Sequence, residues 1–214
     1  MGHAQGFVNL GFENATFIVD PSGAFYPYSV YASDAIPGWT AYISGVPQTD
    51  ILSNDVTLSA AAISLQGTNA FSPAIAAYSG NWSLLLQATF QDPYATNSAA
   101  IGQTGQIPAT AQSLIFMLGE YPSDFQVTFN GQDLLLVTIS NALHYNICGA
   151  DISQYAGQTG QLLFTVYNDN YAELDNIQFS SIPVPEPSEF ALAALGALLL
   201  GFHRRKNSLR QNQD

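Results

Sequence analysis

Apolar and polar residues alternate along most of the chain between Gln5 and Ile182, the period of a strand with one buried face. Val8, Leu10 and Phe12 alternate with Asn9 and Gly11, and Trp82, Leu84 and Leu86 with Ser83, Leu85 and Gln87. Phe125, Val127 and Phe129 alternate with Gln126 and Thr128; Asn130-Gly131 follows, and Leu134, Leu136 and Ile139 resume the apolar pattern. Asn-Gly between two such runs signals a hairpin, because both central residues of a type I′ turn need positive φ. Gln161 to Tyr167 and Leu174 to Phe179 complete the set. About ten short strands with Gly/Pro/Ser/Asn-rich connections, and no tandem repeat, predict an all-β antiparallel β-sandwich or jelly roll over residues 6–181. Asp175 shares the parity of Ile177 and Phe179, which predicts an inward side chain, where an unpaired carboxylate is costly.

The period changes after Ile182. Residues 182–188 form a Pro-rich linker (Ile-Pro-Val-Pro-Glu-Pro-Ser) that favours extended backbone and cannot enter a sheet interior. Ser188 stands where a helix N-cap belongs. Residues 189–203 then read as a hydrophobic helix, with an uninterrupted apolar and glycine run from Phe190 to Phe202, and residues 204–214 as a basic tail. Cations directly beyond an apolar run predict that this end stays cytoplasmic and that the sandwich lies outside. The run is short: thirteen residues rise roughly 20 Å, against about 30 Å of hydrocarbon, so the arginines must snorkel. Ala193, Ala197 and Gly201 give it one small-residue face.

Val184, Pro185, Glu186 and Pro187, the apolar helix, and Arg204, Arg205 and Lys206 together resemble the PEP-CTERM sorting signal of exopolysaccharide-producing Gram-negative bacteria. The resemblance implies an exosortase as partner, anchoring in the inner membrane before processing, and delivery to the cell surface or extracellular matrix. Residues 1–5 carry neither a basic nor an apolar leader segment, but Gly2-His3-Ala4 offers small residues as at a signal-cleavage site. The expectation is that a leader is encoded upstream.

Charge narrows the partners. The chain has a net charge of −12, and all four cations (Arg204, Arg205, Lys206, Arg210) lie in the tail. A body without Lys or Arg cannot neutralise phosphates, so nucleic acid is excluded as a partner and anionic ligands are disfavoured. Neutral sugars and divalent cations fit better. The single cysteine, Cys148, forms no intrachain disulfide and has no cationic neighbour in sequence to activate it. His144 is the one histidine within the strand-rich region. No nucleophile elbow, zinc spacing or phosphate loop occurs.

The order of several short motifs also resembles the galactose-binding-like jelly roll of many carbohydrate-binding modules. Val8-Asn9-Leu10-Gly11-Phe12-Glu13 opens it, Ile36-Pro37-Gly38-Trp39 and Tyr78-Ser79-Gly80-Asn81-Trp82-Ser83-Leu84 follow, and Asp151-Ile152-Ser153-Gln154 and Leu174-Asp175-Asn176-Ile177 close it. The resemblance implies a structural calcium tying the first strand to the last, with Glu13 and Asp175 at the matching positions. Carboxylate oxygens are the ligands such a hard cation takes. For sugar binding, Tyr26, Tyr28 and Tyr31 in a Pro/Ser/Gly-rich loop offer aromatic platforms.

The leading expectation is therefore an exported, non-catalytic surface or matrix protein that binds extracellular polysaccharide. The alternatives are a structural matrix protein with no small ligand, and a glycoside hydrolase. The latter would use a carboxylate pair drawn from Asp169, Glu173 and Asp175.

Overall fold

The computed structural model describes residues 5–57, 60–67, 77–89, 97–119, 124–168 and 170–184. Residues up to Pro183 form one compact unit, and Val184–Asp214 a second. Among the described residues no helix is long and apolar enough to cross a membrane. Of the sorting signal only Val184 is described. The linker from Pro185, the predicted hydrophobic helix and the basic tail lie outside the described residues, as does Asp169.

The described body is an all-β sandwich. In chain order its strands are β1 (Ser29–Tyr31), β2 (Thr40–Ile43), β3 (Val46–Pro47), β4 (Asp50–Ser53), β5 (Ala62–Gly67), β6 (Trp82–Gln87) and β7 (Ser98–Gln106). They continue with β8 (Ser113–Gly119), β9 (Phe125–Phe129), β10 (Gln132–Asp133), β11 (Val137–Asn141), β12 (Asn146–Asp151), β13 (Thr159–Tyr167) and β14 (Tyr171–Ser180). One sheet runs β1-β4-β5-β6-β14-β8-β12-β11, the other β10-β9-β13-β7-β2-β3. All pairings are antiparallel except β4 with β5.

Alternation packs the core as the sequence pattern requires. Leu65, Leu84, Leu86, Leu174, Leu114, Phe116, Leu118 and Cys148 from the first sheet meet Ile101, Val127, Phe129, Leu162, Phe164 and Val166 from the second, all buried. Phe12, Trp39, Phe164 and Phe116 form a continuous aromatic chain, with successive centroids 5.4–6.1 Å apart. The Asn130-Gly131 turn has φ of 51° and 74°, the I′ hairpin read from the sequence. Cys148 is fully buried, and desolvation pushes its thiol up to about 11, so it packs as a small apolar residue.

Three expectations are corrected. The alternating run Val8 to Phe12 is not a strand: Asn9 and Phe12 both have positive φ, so the chain turns there and drops Phe12 into the core. The apolar run after the hairpin breaks at Leu134–Leu136, and Ile139 ends up exposed in an edge strand. A β-bulge in β14 lies between Asp175 and Gln178, with Asn176 at φ 49°. The extra residue reverses parity. Asp175 therefore faces away from Ile177, together with Glu173, on the sheet face opposite the main core.

Candidate functional site

The outer face of the six-stranded sheet carries a groove of about 260 Å³ lined by Tyr42, Gly45, Ser98, Ala100, Gln161, Leu163, Thr165 and Tyr167. Strand period puts these residues outward while Ala41, Ala99, Ile101, Phe164 and Val166 point to the core. The groove exists because β7 supplies small residues where its neighbours supply large ones. Ser98 pairs with Tyr167, Ala100 lies between Tyr42 and Thr165, and Gly102 pairs with Leu163. A Cβ on Gly102 would stand 3.0 Å from Leu163 Cδ1, 3.2 Å from Gln161 Nε2 and 3.3 Å from the Tyr42 ring, so glycine lets these side chains close over the floor.

The lining has no charged group; its polar contacts are hydroxyls and the Gln161 amide. Tyr167 is fixed from behind. Its phenol donates to Gln126 Oε1 at 3.0 Å, and Gln126 Nε2 donates to Asp133 Oδ1 at 2.7 Å. Two half-buried aromatic rings, one held by a relay, thus flank a neutral channel.

The tyrosine loop is arranged differently. Tyr26 and Tyr28 are exposed on the turn before β1, whereas Tyr31 is half-buried on β1 beside Asp20. The negative charge of Asp20 holds the Tyr31 phenol above its ordinary range, and hydrogen bonds from Ser22 hold the Asp20 carboxyl below its own. The three rings do not share a platform with the groove. Its aromatics, Tyr42 and Tyr167, were missed in the sequence. Each sits in a strand pattern, and only the small residues facing them on β7 reveal a channel.

The carboxylates singled out in the sequence converge on the turn from Tyr78 to Trp82. Glu13 Oε1 accepts the Asn81 and Trp82 N–H groups at 2.8 and 3.1 Å, and Oε2 accepts Asn81 Nδ2 at 2.8 Å. Asp175 Oδ2 accepts the Ser79 N–H at 2.7 Å, while Oδ1 accepts the Asn176 N–H. Glu173 receives the Tyr78 hydroxyl at 2.7 Å on Oε2 and the Ser83 hydroxyl on Oε1. Glu173 and Asp175 are fully buried. Burial pushes the Glu173 carboxyl up to about 7, against the pull of Ser83 and Tyr78. Burial likewise pushes Asp175 up to about 6, against backbone N–H donors.

This geometry is a hydrogen-bonded strut. Every oxygen of Glu13 and Asp175 accepts an N–H, so both carboxylates are held by hydrogen bonds to the backbone and to Asn81. Among the described residues no group of three Asp, Glu, His or Cys side chains is placed to hold a metal. Nor do Glu173 and Asp175 face open space as a hydrolytic pair would need to. His144 is exposed in the β11–β12 turn, well along the chain from any of these acids.

No protein-family model and no curated protein matches the chain. Among solved structures it is similar to an apo-form cyclase from Fischerella sp., 14% identical over 82% of this chain and 94% of that one, with a TM-score of 0.46. It is also similar to the module TmCBM61 in complex with β-1,4-galactotriose, 14% identical over 82% and 98%, TM-score 0.45. A third is the K1 cleaved adhesin domain of Lys-gingipain from Porphyromonas gingivalis W83, 13% identical over 67% and 90%, TM-score 0.41.

Proposed function

We propose that this is an exported, non-catalytic surface protein that binds a neutral glycan chain in the groove between Tyr42 and Tyr167. The observation that carries the reading is the groove itself: two aromatic rings across a floor of Ser98, Ala100 and Gly102, with hydroxyl and amide groups and no charge along it. Sugar rings present flat C–H faces and many hydroxyls, which aromatic platforms and neutral hydrogen-bonding groups complement. A carboxylate-bearing ligand would meet no cation before residue 204.

Export rests on the sequence: the Pro-Glu-Pro linker, the short apolar run and Arg204-Arg205-Lys206 mark the chain for exosortase sorting from the inner membrane to the surface or matrix. Two experiments test the two halves. Fractionation of cells is expected to find the sandwich outside the cytoplasm, and a full-length cytosolic product would sink the sorting reading. Affinity electrophoresis through neutral and acidic polysaccharides is expected to retard the protein in neutral gels only. Retardation by acidic gels alone, or by none, would sink the binding reading.

A further inference from the structure

One hydroxyl in the groove is placed more deeply than the rest. Thr165 on β13 is 4% exposed, whereas Tyr42, Ser98, Gln161 and Tyr167 around it are half-buried. Strand period turns its side chain outward between those of Leu163 and Tyr167, and it lines the groove with them.

A buried hydroxyl ordinarily finds a partner. Among the described residues the Thr165 hydroxyl has none within the chain, and its neighbours explain why. In register it lies between Gln126 of β9 and Ala100 of β7. Both polar atoms of the Gln126 amide are occupied: Oε1 accepts the Tyr167 phenol at 3.0 Å, and Nε2 donates to Asp133 Oδ1 at 2.7 Å. Ala100 and Leu163 carry no polar side-chain atom. The relay that fixes Tyr167 therefore leaves Thr165 unserved.

Gln66 Oε1 is the contrasting case, a side-chain oxygen without a partner that is sealed from solvent. The Thr165 oxygen is not sealed in that way; it opens onto the groove. An apolar occupant would bury this hydroxyl unpaired, and a buried donor left unpaired costs more than an ordinary hydrogen bond gains. Whatever fills the groove must bring a polar atom to this point. We propose that Thr165 is the specificity determinant of the groove: its hydroxyl bonds a ring hydroxyl of the bound sugar. The ligand is then a neutral glycan whose ring between Tyr42 and Tyr167 presents an unsubstituted hydroxyl to the floor. This rests on the glycan reading of the groove and adds the atom that reads the sugar.

Affinity electrophoresis of the full chain through a β-galactan, a β-glucan and a mannan selects a polysaccharide that retards it, and isothermal titration with that polysaccharide reads the variants. Thr165→Val keeps the shape and removes the hydroxyl; it is expected to lower affinity at least about tenfold. Its urea midpoint without sugar is expected to be unchanged or higher, because the hydroxyl lost had no partner. Thr165→Ser returns the hydroxyl and is expected to recover most of the lost affinity. Thr128→Val, buried on the same face but outside the groove lining, is the control and is expected to bind as the wild type does. Undiminished binding by Thr165→Val where Tyr42→Ala has lost affinity would overturn the inference and leave the groove reading standing. A lower urea midpoint for Thr165→Val, or no recovery in Thr165→Ser, would also overturn it. Retardation in none of the three gels would remove the groove reading and this inference together.

Discussion

The Glu13 carboxylate accepts two hydrogen bonds from Asn81, one from its backbone N–H and one from Nδ2, both at 2.8 Å. This pair fastens the N-terminal turn to the loop that leads into β6. A second fastening lies beside it, where the Ile177 N–H donates to Leu10 O at 2.9 Å. Gly80, at φ +71°, is what lets the loop wrap the carboxylate, because a Cβ there would fall inside contact distance of Glu13. Glu13→Ala leaves the Asn81 and Trp82 donors to water and is expected to cost about 1–2 kcal/mol, measured by urea unfolding. Gly80→Ala combines a positive φ with a clash and is expected to cost at least as much. An unfolding midpoint unchanged in both variants would show that the strut contributes nothing.

Burial of Glu173 and Asp175 without a cationic partner sets the pH dependence. Their folded-state values, raised to about 7 and about 6, lie above the ordinary 4.5 and 3.8. Between each pair of values the folded state holds more protons than the unfolded state, so stability falls as pH rises. The sandwich is therefore expected to be more stable near pH 4.5 than near pH 8, by an amount on the order of 5 kcal/mol. Glu173→Gln is expected to flatten that slope and to raise the melting temperature at pH 8. A melting temperature that climbs from acid to neutral pH would contradict this.

Because N–H donors occupy the oxygens of Glu13 and Asp175, removal of divalent cations is not expected to weaken the fold. Calorimetry with and without EDTA checks this. A fall of several degrees on chelation, restored by calcium and absent in Asp175→Asn, would show that an ion binds at these carboxylates and contradict this.

The strands that alternate cleanly were legible in the sequence, and so was the Asn130-Gly131 hairpin, because each follows from local periodicity or turn chemistry. The features that escaped depend on single departures from period. Positive φ at Asn9 and Phe12 turns an apparent strand into a loop, and one inserted residue at Asn176 carries Asp175 to the other face. The groove was illegible for another reason. Tyr42 and Tyr167 are far apart in sequence and meet across β7 only through sheet order, which alternation along one strand cannot reveal. The tyrosines that cluster in sequence, Tyr26, Tyr28 and Tyr31, sit in a separate loop.

The most direct measurement is isothermal titration of a neutral polysaccharide that retards the wild-type protein, repeated with Tyr42→Ala and with Ser98→Phe. The first removes a platform; the second fills the channel while keeping both tyrosines. Each is expected to lower affinity at least about thirtyfold, the loss typical of truncating or blocking a central contact, whereas Tyr26→Ala is expected to bind as the wild type does. Undiminished binding by Ser98→Phe, or loss confined to Tyr26→Ala, would contradict a ligand seated between Tyr42 and Tyr167.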